Sequence, residues 1–567
     1  MRDGRRLAAF ILVSATALAL AGTASASYKA KITGGVLTFT GNAASDKLVL
    51  RLKPGGETKL QGDVGGNGTA EFEFGRGLFT SIVVNAGGGN DAVVVSEANG
   101  VFTTTEATTL NGGSGKDKLT GGTGGEALRG GPGADKVSGK GGPDTFFWKA
   151  SDGNDTINGQ GDSDTVSFTG TPTNNSFALR ASSGSLRADV GFEAVVAQAV
   201  EGANVSPLDG LDSVDVNDLT GTGVSAVNID LGVTGVADAV ADTVTVDATG
   251  GSDAVSIAAS SGQVVASGLP VNLAISGASP SDRLTVNGLG GDDTLSGGVG
   301  LATLIQLTLD GADGNDTLNG GNGADTLIGG NQNDVADGNG GNDTVFLGDG
   351  NDTARWDPGD ASDIIEGQTG NDLLDFNGAA GAEIFALSSN GGRLLFTRNV
   401  GNIVMDTDDV EVVNLHALGG IDTVTVNDLG PTDVTSVAVD LGVGGLGDAS
   451  VDAITVNATN AVDLFNVSGS AGSVLVQGLA VGVQLLSSEP ANDTLTVNLI
   501  NGDDIFSASS LAATSLQHLT VSGGNGNDIL VGSQGADTLN GDANTDYIDG
   551  GAGIDSSTGG ETVVNVP

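Results

Sequence analysis

The chain of 567 residues contains no cysteine, only 11 prolines and only 4% aromatic residues. Without Cys, neither disulfides nor thiolate metal sites can hold a fold together. So few aromatics exclude a bulky globular core. A narrow core of small aliphatic side chains stays open, because Val, Leu, Ile and Ala make up most of the 38% apolar content. Positive charge is scarce too: 22 Lys+Arg stand against 70 Asp+Glu, and 22 − 70 leaves a net charge of −48. That balance excludes nucleic acid and anionic lipid as partners and suits a cation. The chain has two histidines, each apart from the other. His416 precedes Ala417 and His518 precedes Leu519, so no HExxH zinc motif exists. Beyond the N-terminus there is no apolar run of about 18 residues, so no membrane span is expected in the mature chain. Helical periodicity and proline-rich linkers are absent as well.

What the chain has in excess is glycine, 96 residues of it. Much of it falls on a nine-residue beat, as in GGNGADTLI (320–328) and GGNGNDILV (523–531). In residues 112–167 the sixth position carries Asp117, Glu126, Asp135, Asp144, Asp155 and Asp164, and the eighth carries Leu119, Leu128, Val137, Phe146, Ile157 and Val166. Two extra residues, Trp148 and Lys149, interrupt the spacing. In residues 311–375 the acidic column is Asp316, Asp325, Asp334, Asp343, Asp352, Asp363 and Asp372. Its apolar column is Leu318, Leu327, Ala336, Val345, Ala354, Ile365 and Leu374. In residues 523–558 the acidic column is Asp528, Asp537, Asp546 and Asp555, while the apolar one fails at Ser557, as expected of a terminal repeat. A longer duplication overlies the nines. VDVNDL at 214–219 recurs as VTVNDL at 424–429, an offset of 424 − 214 = 210.

Eight segments follow. Residues 1–26 read as a secretory signal peptide: Arg2, Arg5 and Arg6, an apolar run from Leu7, then Ala24-Ser25-Ala26. Residues 27–110 form an N-terminal β-rich segment. The repeat blocks are 111–168, 311–376 and 523–560. Between them lie β-rich spacers, 169–310 and 377–522, whose alternating apolar residues predict short half-buried strands. Residues 561–567 are a tail. Isolated Asp residues in partial copies of the motif, Asp91, Asp293 and Asp504, lack a partner eighteen residues away and read as simple β-turns. The expected fold class is all-β, with parallel β-roll blocks joined by β-rich spacers.

The beat has a physical meaning. Glycines allow positive φ and close backbone approach, so six residues make a tight turn and three make a short strand. Two nines form one coil, and coils stack about 4.8 Å apart. The acidic residues then line up in columns. Two carboxylates about 5 Å apart repel by roughly 3 kcal/mol at an effective dielectric near 20. A hard dication relieves this, and Ca²⁺, with six to eight oxygen ligands and tolerant geometry, fits better than Mg²⁺. In these residues the chain resembles the bacterial RTX family of calcium-binding repeat proteins. The resemblance implies a parallel β-roll with Ca²⁺ held between turns eighteen residues apart: Asp117 with Asp135, Asp316 with Asp334, Asp325 with Asp343, Asp528 with Asp546, and Asp537 with Asp555. Glu126, Lys140 and Gln332 depart from the motif. The reading is a secreted, non-enzymatic calcium-binding protein, structural or adhesive at the cell surface or in an extracellular matrix. Its partners would be calcium ions and a surface polysaccharide or protein. The alternative is a secreted polysaccharide-acting hydrolase or lyase with the repeats as an accessory; no pair of carboxylates is marked out for it.

Overall fold

The computed structural model describes residues 27–238 and 240–566. The leader read at 1–26 lies outside these residues. Among the described residues there is no α-helix, only β-strands and three short 3-10 turns at Arg76–Leu78, Leu301–Thr303 and Val400–Asn402. The chain divides into two compact units, Met1–Asp242 with Pro270–Gly277, and Thr243–Leu269 with Ala278–Pro567.

Each unit is a parallel β-solenoid. In the first unit one sheet stacks Val36–Thr40, Ser81–Gly88, Ala107–Ser114, Glu126–Arg129, Thr145–Lys149, Thr165–Thr169, Gly202–Ser206 and Ala226–Asp230 in parallel. The opposite sheet stacks Lys47–Lys53, Ala92–Ser96, Lys118–Thr120, Lys136–Lys140, Thr156–Gln160 and Glu193–Gln198. The chain alternates between the two sheets, one strand each per coil. The second unit repeats this scheme from Thr243–Asp247 to Thr562–Val564.

Register follows the repeat. In the second unit Leu309 pairs with Leu327 and Leu327 with Val345, while Leu318 pairs with Ala336 and Ala336 with Ala354. Equivalent positions therefore sit one above another. Every eighth-position residue from Leu119 to Ile548 is buried, and the core is two facing stacks of small aliphatics. Each such burial stabilises by about 1.5–3 kcal/mol. The alternation in the sequence is what sorts the faces: in Thr344–Gly350, Val345 and Leu347 are buried and Thr344 and Phe346 only half so.

The spacers are not separate domains. Within each unit they continue its stack with longer coils, whose surplus chain forms antiparallel excursions within the sheet. In the first unit Ser176–Ser182, Ser185–Val190 and Glu193–Gln198 make one such three-stranded excursion. In the second, Ile384–Asn390, Arg393–Arg398 and Ile403–Asp408 make its counterpart, 384 − 176 = 208 residues on. The duplication is thus a duplication of coils.

The two-residue insertions also match. Trp148 and Trp356, 208 residues apart, are both buried. The indole N–H of Trp148 donates to the Gly153 carbonyl (3.0 Å) and that of Trp356 to the Ala361 carbonyl (2.8 Å). Each closes the widened turn that the insertion creates. Trp356 also stacks on Phe376 with ring centroids 4.1 Å apart. Trp356→Ala should therefore cost about 3–5 kcal/mol, the range for truncating a large buried aromatic. A shift of the urea midpoint of the calcium-loaded protein measures it; a midpoint like that of the unaltered protein would contradict this packing.

Candidate metal centre

Each acidic residue of the repeat except the terminal Asp555 stands two residues ahead of a buried strand residue, at the corner where turn becomes strand. Stacking puts these corners in line. The backbone N–H of Asp316 donates to Asp334 Oδ1 (2.7 Å), that of Asp334 to Asp352 Oδ1 (2.7 Å), and that of Asp352 to Asp372 Oδ1 (2.9 Å). A second ladder runs Asp325, Asp343, Asp363. The first block has Asp117, Asp135, Asp155 on one side and Glu126, Asp144, Asp164 on the other. The third has Asp528, Asp546 and, opposite, Asp537, Asp555. Where the next coil departs from eighteen residues, a glutamate reaches in: Glu201 takes the Asp164 amide and Glu411 that of Asp372 across longer coils, and Glu561 that of Asp546 across a shorter one, each at 2.7 Å.

One oxygen per carboxylate is thereby satisfied. The other is buried and has no hydrogen-bond partner in Asp117, Asp135, Asp144, Asp164, Asp316, Asp334, Asp343, Asp352, Asp372, Asp528, Asp546 and Asp555, and in Glu126 through Oε1. A buried carboxylate oxygen without a donor is costly, by several kcal/mol for the ion. Repetition of the same omission in coil after coil marks a site built for something other than a protein donor.

Glycine at the first position of the nine gives that oxygen room. A Cβ on Gly311 would lie 2.3 Å from Asp316 Oδ2 and 2.7 Å from the Gly329 carbonyl oxygen. On Gly523 it would meet Asp528 Oδ2 at 2.5 Å and the Gly541 carbonyl oxygen at 2.8 Å. Each cradle therefore brings together a carboxylate oxygen and a main-chain carbonyl from the next coil. Such all-oxygen, anionic donor sets fit a hard dication and suit neither zinc nor a soft metal. Burial, reinforced by neighbouring carboxylates, pushes the acids up: Asp334 to about 7, Asp343 to about 8 and Asp144 to about 8.

All sixteen sequence-predicted acids lie in these ladders, and the five pairs eighteen residues apart are joined amide to carboxylate. They are not equivalent. Asp325 Oδ2 accepts the Gly321 amide (2.6 Å), and Asp537 takes the Ser533 amide and hydroxyl. These two are locally satisfied and are weaker candidates than their neighbours. Glu126 keeps the ladder through its backbone amide, which donates to Asp144 Oδ1, while its side chain turns back to accept the Gly122 amide (2.9 Å). Lys140 and Gln332, which replace glycine, still adopt its left-handed backbone at φ 84° and 81°.

The reading of Asp91, Asp293 and Asp504 as plain turns is corrected. The Asp91 amide donates to Asp117 Oδ1, Asp293 to Asp316 and Asp504 to Asp528, at separations of 26, 23 and 24 residues. Spacing of eighteen was too strict a criterion, because the surplus residues are taken up within the coil, anchored by buried Phe102, Leu301 and Leu516, and leave the corner in register. Asp422 and Asp452 were missed for the same reason and also join a ladder. Asp-x-apolar at a strand start, as in Asp422-Thr423-Val424, was the available signal. One rung needs no cation: Glu383 is paired with buried Arg398, whose guanidinium lies 5.1 Å from the Trp356 ring. Its counterpart 208 residues earlier is the neutral Asn175.

The family model for the RTX calcium-binding nonapeptide repeat matches residues 103–137, 111–146, 149–169, 285–301, 308–336, 319–354, 358–379 and 522–556. No curated protein matches the chain. Glycine cradles, half-satisfied buried carboxylates and this match agree, and the three blocks are RTX calcium-binding nonapeptide repeats.

Proposed function

We propose that the protein is a secreted, non-enzymatic structural protein whose solenoid is stiffened by Ca²⁺ and which serves as an adhesive or matrix component outside the cell. The carrying observation is the column of buried carboxylate oxygens without donors. Asp316, Asp334, Asp343, Asp352 and Asp372 in the second block, Asp528, Asp546 and Asp555 in the third, and Asp117, Asp135, Asp144 and Asp164 in the first would hold the ions, with turn carbonyls beside them. Bound calcium supplies positive charge between stacked anions; the chain's own work is to place the oxygens and exclude water from them. The leader-like N-terminus and the charge of −48 support export to a calcium-rich exterior.

The magnitudes suffice. A site with a dissociation constant near 10⁻⁴ M in about 1 mM calcium adds roughly 1.4 kcal/mol by mass action. A dozen such sites add about 17 kcal/mol, more than the whole stability of an ordinary domain. Folding would then wait for export.

Circular dichroism should show β content rising steeply with calcium and much less with magnesium; equal spectra with and without calcium would refute the reading. Gly311→Ala fills one cradle with a methyl group and should lower the calcium count by at least one ion per chain, which dialysis with radioactive calcium measures. The pH response has a defined sign. Acids with raised values in the folded state bind protons there that the unfolded chain does not, so their stabilising contribution is complete below about 4 and is lost as pH rises through 6–8. Calcium-free protein should thus melt at a higher temperature near pH 5 than near pH 8, and saturating calcium should reduce or reverse the difference. Thermal melts across this range decide it.

A further inference from the structure

Outside the matched blocks, at the start of the first unit, the acidic ladder continues through two more rungs. The Asp46 amide donates to Asp91 Oδ1 and the Asp91 amide to Asp117 Oδ1, both at 2.7 Å. The stretch Gly41-Asn42-Ala43-Ala44-Ser45-Asp46-Lys47-Leu48 keeps the first, sixth and eighth positions of the nine but has lost its inner glycines. That loss hides it from a repeat pattern. Its backbone still makes the characteristic approach: a Cβ on Gly41 would lie 1.8 Å from the Ala86 carbonyl oxygen, as one on Gly112 would lie 2.6 Å from that of Gly130.

Three oxygens here are buried without a partner: Asp46 Oδ2, Asp91 Oδ2 and the Tyr28 hydroxyl. Asp91 is 2% exposed and Tyr28 not at all. A buried phenol normally finds a hydrogen-bond partner. Lys29 pairs with Thr40, which sets Tyr28 beside Gly41, and the Asn42 side-chain amide donates to the Ser27 carbonyl (3.1 Å); burial, and then the charges of Asp91, Asp46 and Asp117, push the phenol well above its ordinary value. Among the described residues no lysine or arginine is paired with Asp46 or Asp91. The cluster thus offers two carboxylates, a neutral phenol and a main-chain carbonyl, all oxygen.

We infer that Tyr28, Asp46 and Asp91, with the Ala86 carbonyl, form a further Ca²⁺ site that caps the first unit ahead of its RTX block. The inference rests on the calcium reading of the repeats and extends it to a segment without the repeat. Its chemistry is the same hard-oxygen coordination, with the phenol replacing a turn carbonyl that the missing glycines no longer present.

Calcium bound per full-length chain, counted by equilibrium dialysis, tests the site. Asp91→Asn should lower the count by one or more, and Asp46→Asn by one, with β content retained in millimolar calcium. Terbium supplies a second readout that needs no carboxylate variant: in Tyr547→Phe, where Tyr28 is the one tyrosine left, the tyrosine band in its excitation spectrum should persist, and adding Tyr28→Phe should abolish it. If Asp334→Asn lowers the count while Asp46→Asn and Asp91→Asn do not, and Tyr547→Phe shows no tyrosine band, this site is disproved and the reading of the repeats stands. If Asp334→Asn leaves the count unchanged too, both fall together.

Discussion

In most carboxylates of the columns one oxygen is used to hold the protein to itself, and the other is left over. The amide-to-Oδ1 bond, repeated along the stack, fixes each corner against the next and worth about 1.5–3 kcal/mol when the acceptor is charged. The remaining oxygen reverses that gain unless something positive meets it. Coil stacking and cation demand are therefore one feature. The core could not compensate alone: its eighth-position residues are mostly Leu, Val, Ile and Ala, two side chains thick.

The same ladder explains how the solenoid tolerates irregular coils. Separations between successive rungs run from 15 to 45 residues, yet the donor is always the corner amide and the acceptor a carboxylate oxygen. Lengthening a surface loop costs little, because closure entropy grows only with the logarithm of its length. Extra chain is taken up as antiparallel strands within the sheet, and the corner stays put. Rungs that adjoin long coils are adapted individually. Glutamates replace aspartates at Glu201 and Glu411, where more reach is needed. Glu383 is neutralised by Arg398, and Asn175 carries no charge at all.

Much of the site was legible in the residue pattern. The nine-residue beat identifies both columns because each coil uses the same turn, and a turn of that kind needs glycine at fixed places. The legibility ended where the glycines did. Asp46, Asp422 and Asp452 occupy the same corner with only one or two of them, and there a lone Asp two residues before an apolar strand looks like any turn. Nor could the pattern rank its own candidates. Asp325 and Asp537 match the motif as well as Asp334 does, but local donors from Gly321 and Ser533 meet their second oxygens.

The amino-acid sequence by itself determined the β class, the in-register columns and the preference for a hard cation, because period, side-chain size and charge are all local properties of the chain. Tertiary structure alone decided that the spacers prolong the stack, which rungs share a ladder across loops of unequal length, and which oxygens are buried without donors. Those depend on what lies in the neighbouring coil, and that neighbour is set by stacking, not by distance along the chain.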